Sequence, residues 1–264
     1  MCMTKRFKTI LKPAINFLTD TMMKLARFSF PAYYNWRWKW QMLLWRYEPE
    51  TVDFFKKNVK PGMTVVDIGA HIGYFARVLS KLVGRAGAVY AFEPDEANFK
   101  MLKSNTEHLK NVKTYQLAVS DRRGSVDFYL SGGRSGNHST IAGVVLDQKK
   151  VTVEAVDLDS FFVDAKIQRV DFIKMDIEGG EPAALAGMKN VILKSGNIIL
   201  VSEFAPAWLR KAGVEPLNYL NNLRALGFEI SADRGGEILP FNPTESEMQK
   251  LAPSYFTNIY CNRH

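Results

Sequence analysis

Apolar and polar positions follow two rhythms along this chain. Thr64–Ile68, Ala88–Phe92, Asp171–Met175 and Asn197–Ser202 are short apolar runs bounded by turn residues, the pattern of strands buried on both faces. Val112–Val119 and Val151–Val156 read as further extended pieces, and Ser125–Leu130 alternates like a hairpin arm. Phe228–Ser231 and Phe256–Cys261 close the series. Between them, Tyr74–Val83, Asp95–Leu109, Pro182–Leu193 and Pro216–Leu226 carry the helical period. The punctuation agrees: Gly84 and Gly227 stand where C-cap glycines belong, Asp95 where an N-cap belongs, and Pro182 falls in a first turn. Strands separated by helices predict an α/β fold, a doubly wound and mostly parallel sheet with both faces covered. Ser131–Thr140 reads as a flexible loop.

The first 46 residues follow a different pattern and are assigned to a basic, aromatic helical extension, with 47–264 as the main domain. Phe7, Ile10, Leu11, Ala14, Leu18, Met22 and Leu25 recur at spacings of three and four, an amphipathic stripe that Pro13 is placed to kink. Four of the five tryptophans follow, at 36, 38, 40 and 45, interleaved with Arg37 and Lys39. Such a segment either packs its rings on the body as a cover or dimer contact, or lies at a membrane surface among anionic headgroups.

Charge sharpens that division. The chain has a formal net charge of +8, and residues 1–50 hold nine Lys/Arg against three acids. The body is therefore nearly neutral, which argues against a broad phosphate-binding face and makes nucleic acid a disfavoured partner. The two cysteines, Cys2 and Cys261, form no disulfide framework and no zinc spacing, and they fit a reducing, cytoplasmic setting with peripheral membrane contact as its one elaboration. No metal ligand set is expected. No apolar run reaches the 18 residues of a spanning helix.

Candidate chemistry lies at the ends of the buried runs. Val65-Val66-Asp67-Ile68-Gly69-Ala70-His71-Ile72-Gly73-Tyr74 is a strand, an acid, a glycine turn and a helix start. Ligands of open α/β sheets bind at such turns. The G-x-x-x-G spacing departs from the G-x-G-x-x-G of dinucleotide enzymes, which disfavours an oxidoreductase. Asp67 facing an amine, with backbone N–H groups facing a carboxylate, suits the methionine end of S-adenosylmethionine; a purely structural strand–helix turn is the alternative. Glu93 ends the next strand, 24 residues after Gly69, where an acid can take ribose hydroxyls. Phe172-Ile173-Lys174-Met175-Asp176-Ile177-Glu178-Gly179-Gly180-Glu181 is a second strand ending in acids. Asp176 is expected at the methyl-donor end of the pocket, and Glu181 as a helix N-terminal acid favoured by the dipole.

Taken together, YEPE, DIGAHIGYF, YAFEPD, LAVSD, VEAVDLDSF and DFIKMDIEGGE, in that order over roughly 47–204, resemble the FkbM family of methyltransferases. The resemblance implies the class I methyltransferase (Rossmann-like) fold, with seven strands of which the last is antiparallel. It also implies S-adenosylmethionine as cofactor and O-methyl transfer to hydroxyls of a glycan or small molecule. An RNA or protein acceptor, or a membrane-attached scaffold without turnover, is the alternative. His71 departs from the asparagine common in such proteins. The cofactor residues on this reading are Asp67, Gly69, His71, Gly73, Tyr74, Glu93, Ala118, Val119 and Asp176. The candidates for orienting or deprotonating the acceptor are Asp176, then Glu178 and Glu203, with His138 of the loop as a further base.

Overall fold

The computed structural model describes residues 15–132, 138–144, 147–244, 246–248 and 256–264. The first half of the N-terminal stripe, with Pro13, and the centre of the Ser131–Thr140 loop lie outside them. In chain order the elements are α1 (15–25), α2 (Trp36–Leu43), α3 (Pro49–Asn58), β1 (Thr64–Ile68), α4 (Tyr74–Val83), β2 (Ala88–Phe92), α5 (Glu96–Thr106), β3 (Val112–Tyr115), β4 (Ala118–Val119), β5 (Gly124–Leu130) and β6 (Lys149–Val156). There follow α6 (Leu158–Asp164), β7 (Phe172–Met175), α7 (Glu181–Ala186), α8 (Lys189–Ser195), β8 (Ile198–Phe204), α9 (Pro206–Lys211), α10 (Pro216–Ala225), β9 (Glu229–Asp233), β10 (Ile238–Pro240) and β11 (Thr257–Arg263).

The main sheet runs β10-β9-β11-β8-β7-β1-β2-β3. The β8-β7-β1-β2-β3 block is parallel, and β11 is antiparallel to both β8 and β9. The expected seven strands are thus joined by an eighth, β10, on the far edge. Chain order reverses direction between β1 and β7, so the ends of these two strands form the switch point where such sheets bind ligands.

Period-two alternation decides what faces that point. On β1, Val66 and Ile68 enter one core layer with Phe92, Ile173 and Leu200, while Val65 enters the other with Phe75, Phe172 and Tyr260. Asp67 shares the face of Val65, and Lys174 on β7 shares the face of Phe172. The register pairs Asp67 directly with Lys174. The two charges therefore meet inside an apolar layer, beneath α4.

Two sequence expectations give way to packing. The expected strand Val112–Val119 divides: β3 stays in the main sheet, but β4 leaves it to pair with β6, which also pairs with β5 in a separate three-stranded sheet. The expected helix Pro182–Leu193 breaks into α7 and α8 at Gly187-Met188. Gly187 sits against the backbone of Ser120, where a Cβ would fall 2.0 Å from its carbonyl oxygen. The N-terminal segment is folded onto the body. Asn35 caps α2 by accepting from the amides of Arg37 and Trp38. Phe28, Tyr34 and Met42 join the buried layer of Val65 and Phe75. Arg77 on α4 ties the segment down by donating to the carbonyls of Ala26 (2.8 Å) and Arg27 (3.0 Å). Among the described residues, no helix is long and apolar enough to cross a membrane.

Candidate active site

A cavity of about 530 Å³ opens at the carboxyl ends of β1, β2, β7 and β8, within the range of small-molecule sites. Its floor and walls bring together Gly69, His71, Tyr74, Glu93, Ala118, Val119, His138, Asp176, Glu178 and Glu203, which the sequence placed on separate segments. Asp67 and Gly73 do not line it.

Asp67 is fully buried under α4, with neither oxygen hydrogen-bonded. Its counter-charge is the Lys174 ammonium, 3.6 Å from Oδ1. The expectation that Asp67 meets a ligand amine at the pocket rim is therefore corrected: strand alternation turns it away from the opening, and Lys174, which does line the cavity, stands between. Lys174 also donates to the carbonyl oxygen of Gly69 at 3.0 Å, approaches Asp176 Oδ2 at 3.5 Å and lies over the Phe75 ring. Burial opposes its charge, but Asp176, Asp67 and Glu48 outweigh burial and hold the ammonium above its usual range.

The glycines have a packing reason of their own. Gly69 (φ +75°) faces the loop after β7, where a Cβ would lie 2.0 Å from the Asp176 carbonyl oxygen. Gly73 (φ +89°) faces α5, where a Cβ would lie 2.9 Å from Leu102 Cδ1. Left-handed backbone and tight neighbours require glycine there. Four of the turn amides are already engaged. Those of Gly69 and Ala70 donate to the Phe92 carbonyl (3.0 and 2.9 Å), that of Gly73 to Ala70 (2.8 Å), and that of His71 to Glu93 Oε2 (2.9 Å).

Glu93 lies where expected, at the end of β2 and on the cavity wall. Its Oε2 takes the His71 amide and its Oε1 the Asp95 amide (3.0 Å), and the Asn98 side chain is a further donor to the carboxylate. Burial raises its pKa to about 7 against these bonds. Burial, with a smaller push from Lys174, lowers His71 to about 4, so its ring is neutral through the physiological range. Tyr74 donates its hydroxyl to the Tyr47 carbonyl at 3.0 Å.

At the other end, Asp176, Glu178 and Glu203 converge: one carboxylate oxygen from each lies within 4.8 Å of the others. Asp176 is the open member, its side chain 37% exposed. Glu178 is 8% exposed, and its Oε2, like Oε2 of Glu203, is buried without a hydrogen-bond partner. Burial first, then the neighbouring acids, pushes Glu178 up to about 9 and Glu203 well above the usual carboxylate range. Glu181 does not join them. Its oxygens take the amides of Ile177 and Gly179, both at 3.0 Å, so it clamps the loop that carries Glu178.

His138 lines the cavity, but its geometry is not that of a base. Its Nδ1 accepts the Ser131 amide at 2.9 Å, so the neutral ring carries its proton on Nε2 and can offer only a donor there. One contributor, Lys174, escaped the sequence analysis. The expected aromatic cover is present as a wall of Tyr33, Tyr34, Trp38 and Tyr47 along the cavity.

A family model described as the methyltransferase FkbM domain matches residues 67–230. The 2-O-methyltransferase NoeI of Sinorhizobium fredii is 29% identical over 150 residues, covering 52% of this chain and 61% of NoeI. The chain thus spans less than two thirds of that relative. The hexuronic acid methyltransferase AglP of Haloferax volcanii is 25% identical over 179 residues, 67% of this chain and 68% of AglP. A proposed rRNA methylase from Clostridium thermocellum shares the fold, with a TM-score of 0.50 at 12% identity over 82% of this chain and 96% of that one.

Proposed function

The chain belongs to the FkbM methyltransferase family, and from that premise we propose that it transfers a methyl group from S-adenosylmethionine to a hydroxyl of a sugar or other small hydroxylated acceptor. The observation that carries this reading is one cavity running from the Glu93 carboxylate at the end of β2 to the acids at the ends of β7 and β8. It fits an elongated ligand with a diol at one end and positive charge at the other. Glu93 accepts the ribose hydroxyls. Ala118 and Val119, buried on β4, flank the adenine by van der Waals contact. The unpaired oxygens of Glu178 and Glu203 face the cationic end. Bound there, the cofactor supplies an electrophilic methyl carbon on a sulfonium.

What the chain adds is alignment, worth several kcal/mol where it holds reactants near attack geometry. Asp176, the accessible acid, orients the acceptor hydroxyl and takes its proton. His138 donates through Nε2 to an acceptor oxygen. A sugar-like acceptor agrees with the relatives, one named for 2-O-methyl transfer and one for hexuronic acid.

The test is calorimetry with S-adenosylmethionine and with NAD, followed by an acceptor screen with radiolabelled methyl donor. Binding of the sulfonium cofactor, lost in Glu93→Ala, supports the assignment; NAD binding without it overturns the assignment. Peripheral membrane contact is part of the same proposal. Helix α1 exposes Phe17 (73%), Leu18 (61%) and Leu25 (74%) beside the cationic Lys24, a face suited to an anionic lipid surface.

A further inference from the structure

We propose that Asp176, Glu178 and Glu203 together bind one hard divalent cation, Mg²⁺ or Mn²⁺, at the acceptor end of the cavity. The inference rests on the methyl-transfer reading for its purpose but not for its evidence. Three carboxylates from two adjacent strand ends point one oxygen each at a common centre, all within 4.8 Å. That spread is of the order of twice a metal–oxygen bond of about 2.0–2.6 Å. An all-oxygen, all-carboxylate set selects Mg²⁺, Ca²⁺ or Mn²⁺ over zinc or copper.

A cluster of acids alone would prove little. The second observation is what these acids lack. Glu178 is 8% exposed, and its Oε2 has no hydrogen-bond donor; the same holds for Oε2 of Glu203. Unpaired carboxylate oxygens buried in a protein are costly. Lys174 is the cation nearest to hand, 3.5 Å from Asp176, and it already serves Asp67. Its single charge is spent on those two. Ionised, Glu178 and Glu203 would carry two negative charges with no balancing group, the amount one divalent ion supplies in place of two protons. A sulfonium carries one charge and no open coordination positions, so it satisfies the site only in part. Asp176, the exposed member, leaves the remaining coordination positions open towards the cavity, where an acceptor hydroxyl can enter as a ligand. The cation would fix that oxygen in place and share its charge.

The experiment uses the full chain, stripped with EDTA and titrated with Mn²⁺ in the absence of any methyl donor. Free Mn²⁺ is read by electron paramagnetic resonance and folding by circular dichroism. Uptake of one Mn²⁺ per chain is expected, with Glu178→Gln and Glu203→Gln each weakening it by at least about tenfold, the lower end of what loss of a ligand's supporting partner does. The metal-free Gln variants should melt at or above the wild type, because a neutral amide replaces a buried carboxyl crowded by other acids, whereas Mn²⁺ should stabilise the wild type more than either variant. No uptake at millimolar Mn²⁺, or equal uptake by both Gln variants, overturns the proposal and leaves protons as what neutralises the cluster. S-adenosylmethionine binding is measured in parallel with EDTA present. Normal cofactor binding without Mn²⁺ uptake defeats the metal site alone, while loss of cofactor binding defeats the methyl-transfer reading.

Discussion

Replacing Lys174 by Met removes one charge from the molecule and keeps most of the side-chain volume, so it isolates an electrostatic effect. Asp67 is wholly buried, and the ammonium 3.6 Å away is its counter-ion. Stripping one partner from a buried pair costs about 3–5 kcal/mol, because the other charge stays behind uncompensated. The Gly69 carbonyl also loses its 3.0 Å donor. For a domain of this size each kcal/mol moves the melting temperature by roughly 2–4 °C, so a drop of about 6–20 °C is expected. Burial raises the pKa of Asp67. A carboxyl so raised stabilises the fold below its unfolded pKa and loses that contribution as pH climbs through the folded value. The deficit of the Met variant should therefore be smaller at pH 5 than at pH 8. Adding Asp67→Asn to the Met background removes the stranded charge and should restore most of the loss, a coupling of about 2–3 kcal/mol in a double-mutant cycle read by urea denaturation. A Met variant that loses less than about 1 kcal/mol, or one that Asp67→Asn fails to rescue, would refute the claim that the pair is a buried unit, since even exposed pairs contribute up to that much.

Other outcomes can be checked separately. S-adenosylmethionine should bind more tightly as pH rises towards and past 7, by up to about tenfold per unit below it, because ribose hydroxyls need the ionised form of Glu93; Glu93→Gln should bind weakly and without that slope in calorimetry. Gly69→Ala should cost well beyond the roughly 1–2 kcal/mol of a left-handed alanine, since its Cβ meets the Asp176 carbonyl, whereas Gly62→Ala, with φ +89° and open space, should cost only that amount in the same denaturation assay. His138→Gln should lower turnover but leave the shape of the pH–rate profile unchanged, because its Nδ1 is already engaged by the Ser131 amide; loss of a limb of the profile would restore it as a base. Deleting residues 1–25 should abolish co-sedimentation with vesicles containing anionic lipid, and unchanged sedimentation would remove α1 from consideration.

The strands that carry the site were legible because they are apolar on both faces and end at turn residues: β1 and β2 run over the residues expected, and β7 begins one residue later. Glu93 could be placed by its distance from the glycine turn alone. Lys174 could not. A lone lysine in an apolar strand has no visible partner until β7 is registered against β1, a pairing between residues more than a hundred positions apart. The same long-range fact hides the role of Gly69, whose neighbour is the backbone of Asp176, and the meeting of Glu178 with Glu203, which requires β8 beside β7. Some missed elements had signals in reach. Asn35 before the tryptophan run and Pro49 at the start of α3 are helix-start residues that mark α2 and α3.

The family match begins at residue 67, yet the wall formed by Tyr33, Tyr34 and Trp38 lies wholly upstream of it. Part of the cavity's lining is thereby encoded outside the matched segment, while Asp176, Glu178 and Glu203 lie within it. On the proposed reading, grafting the first 46 residues of one relative onto another would exchange that aromatic wall while leaving Glu93 and the acids at the ends of β7 and β8 in place.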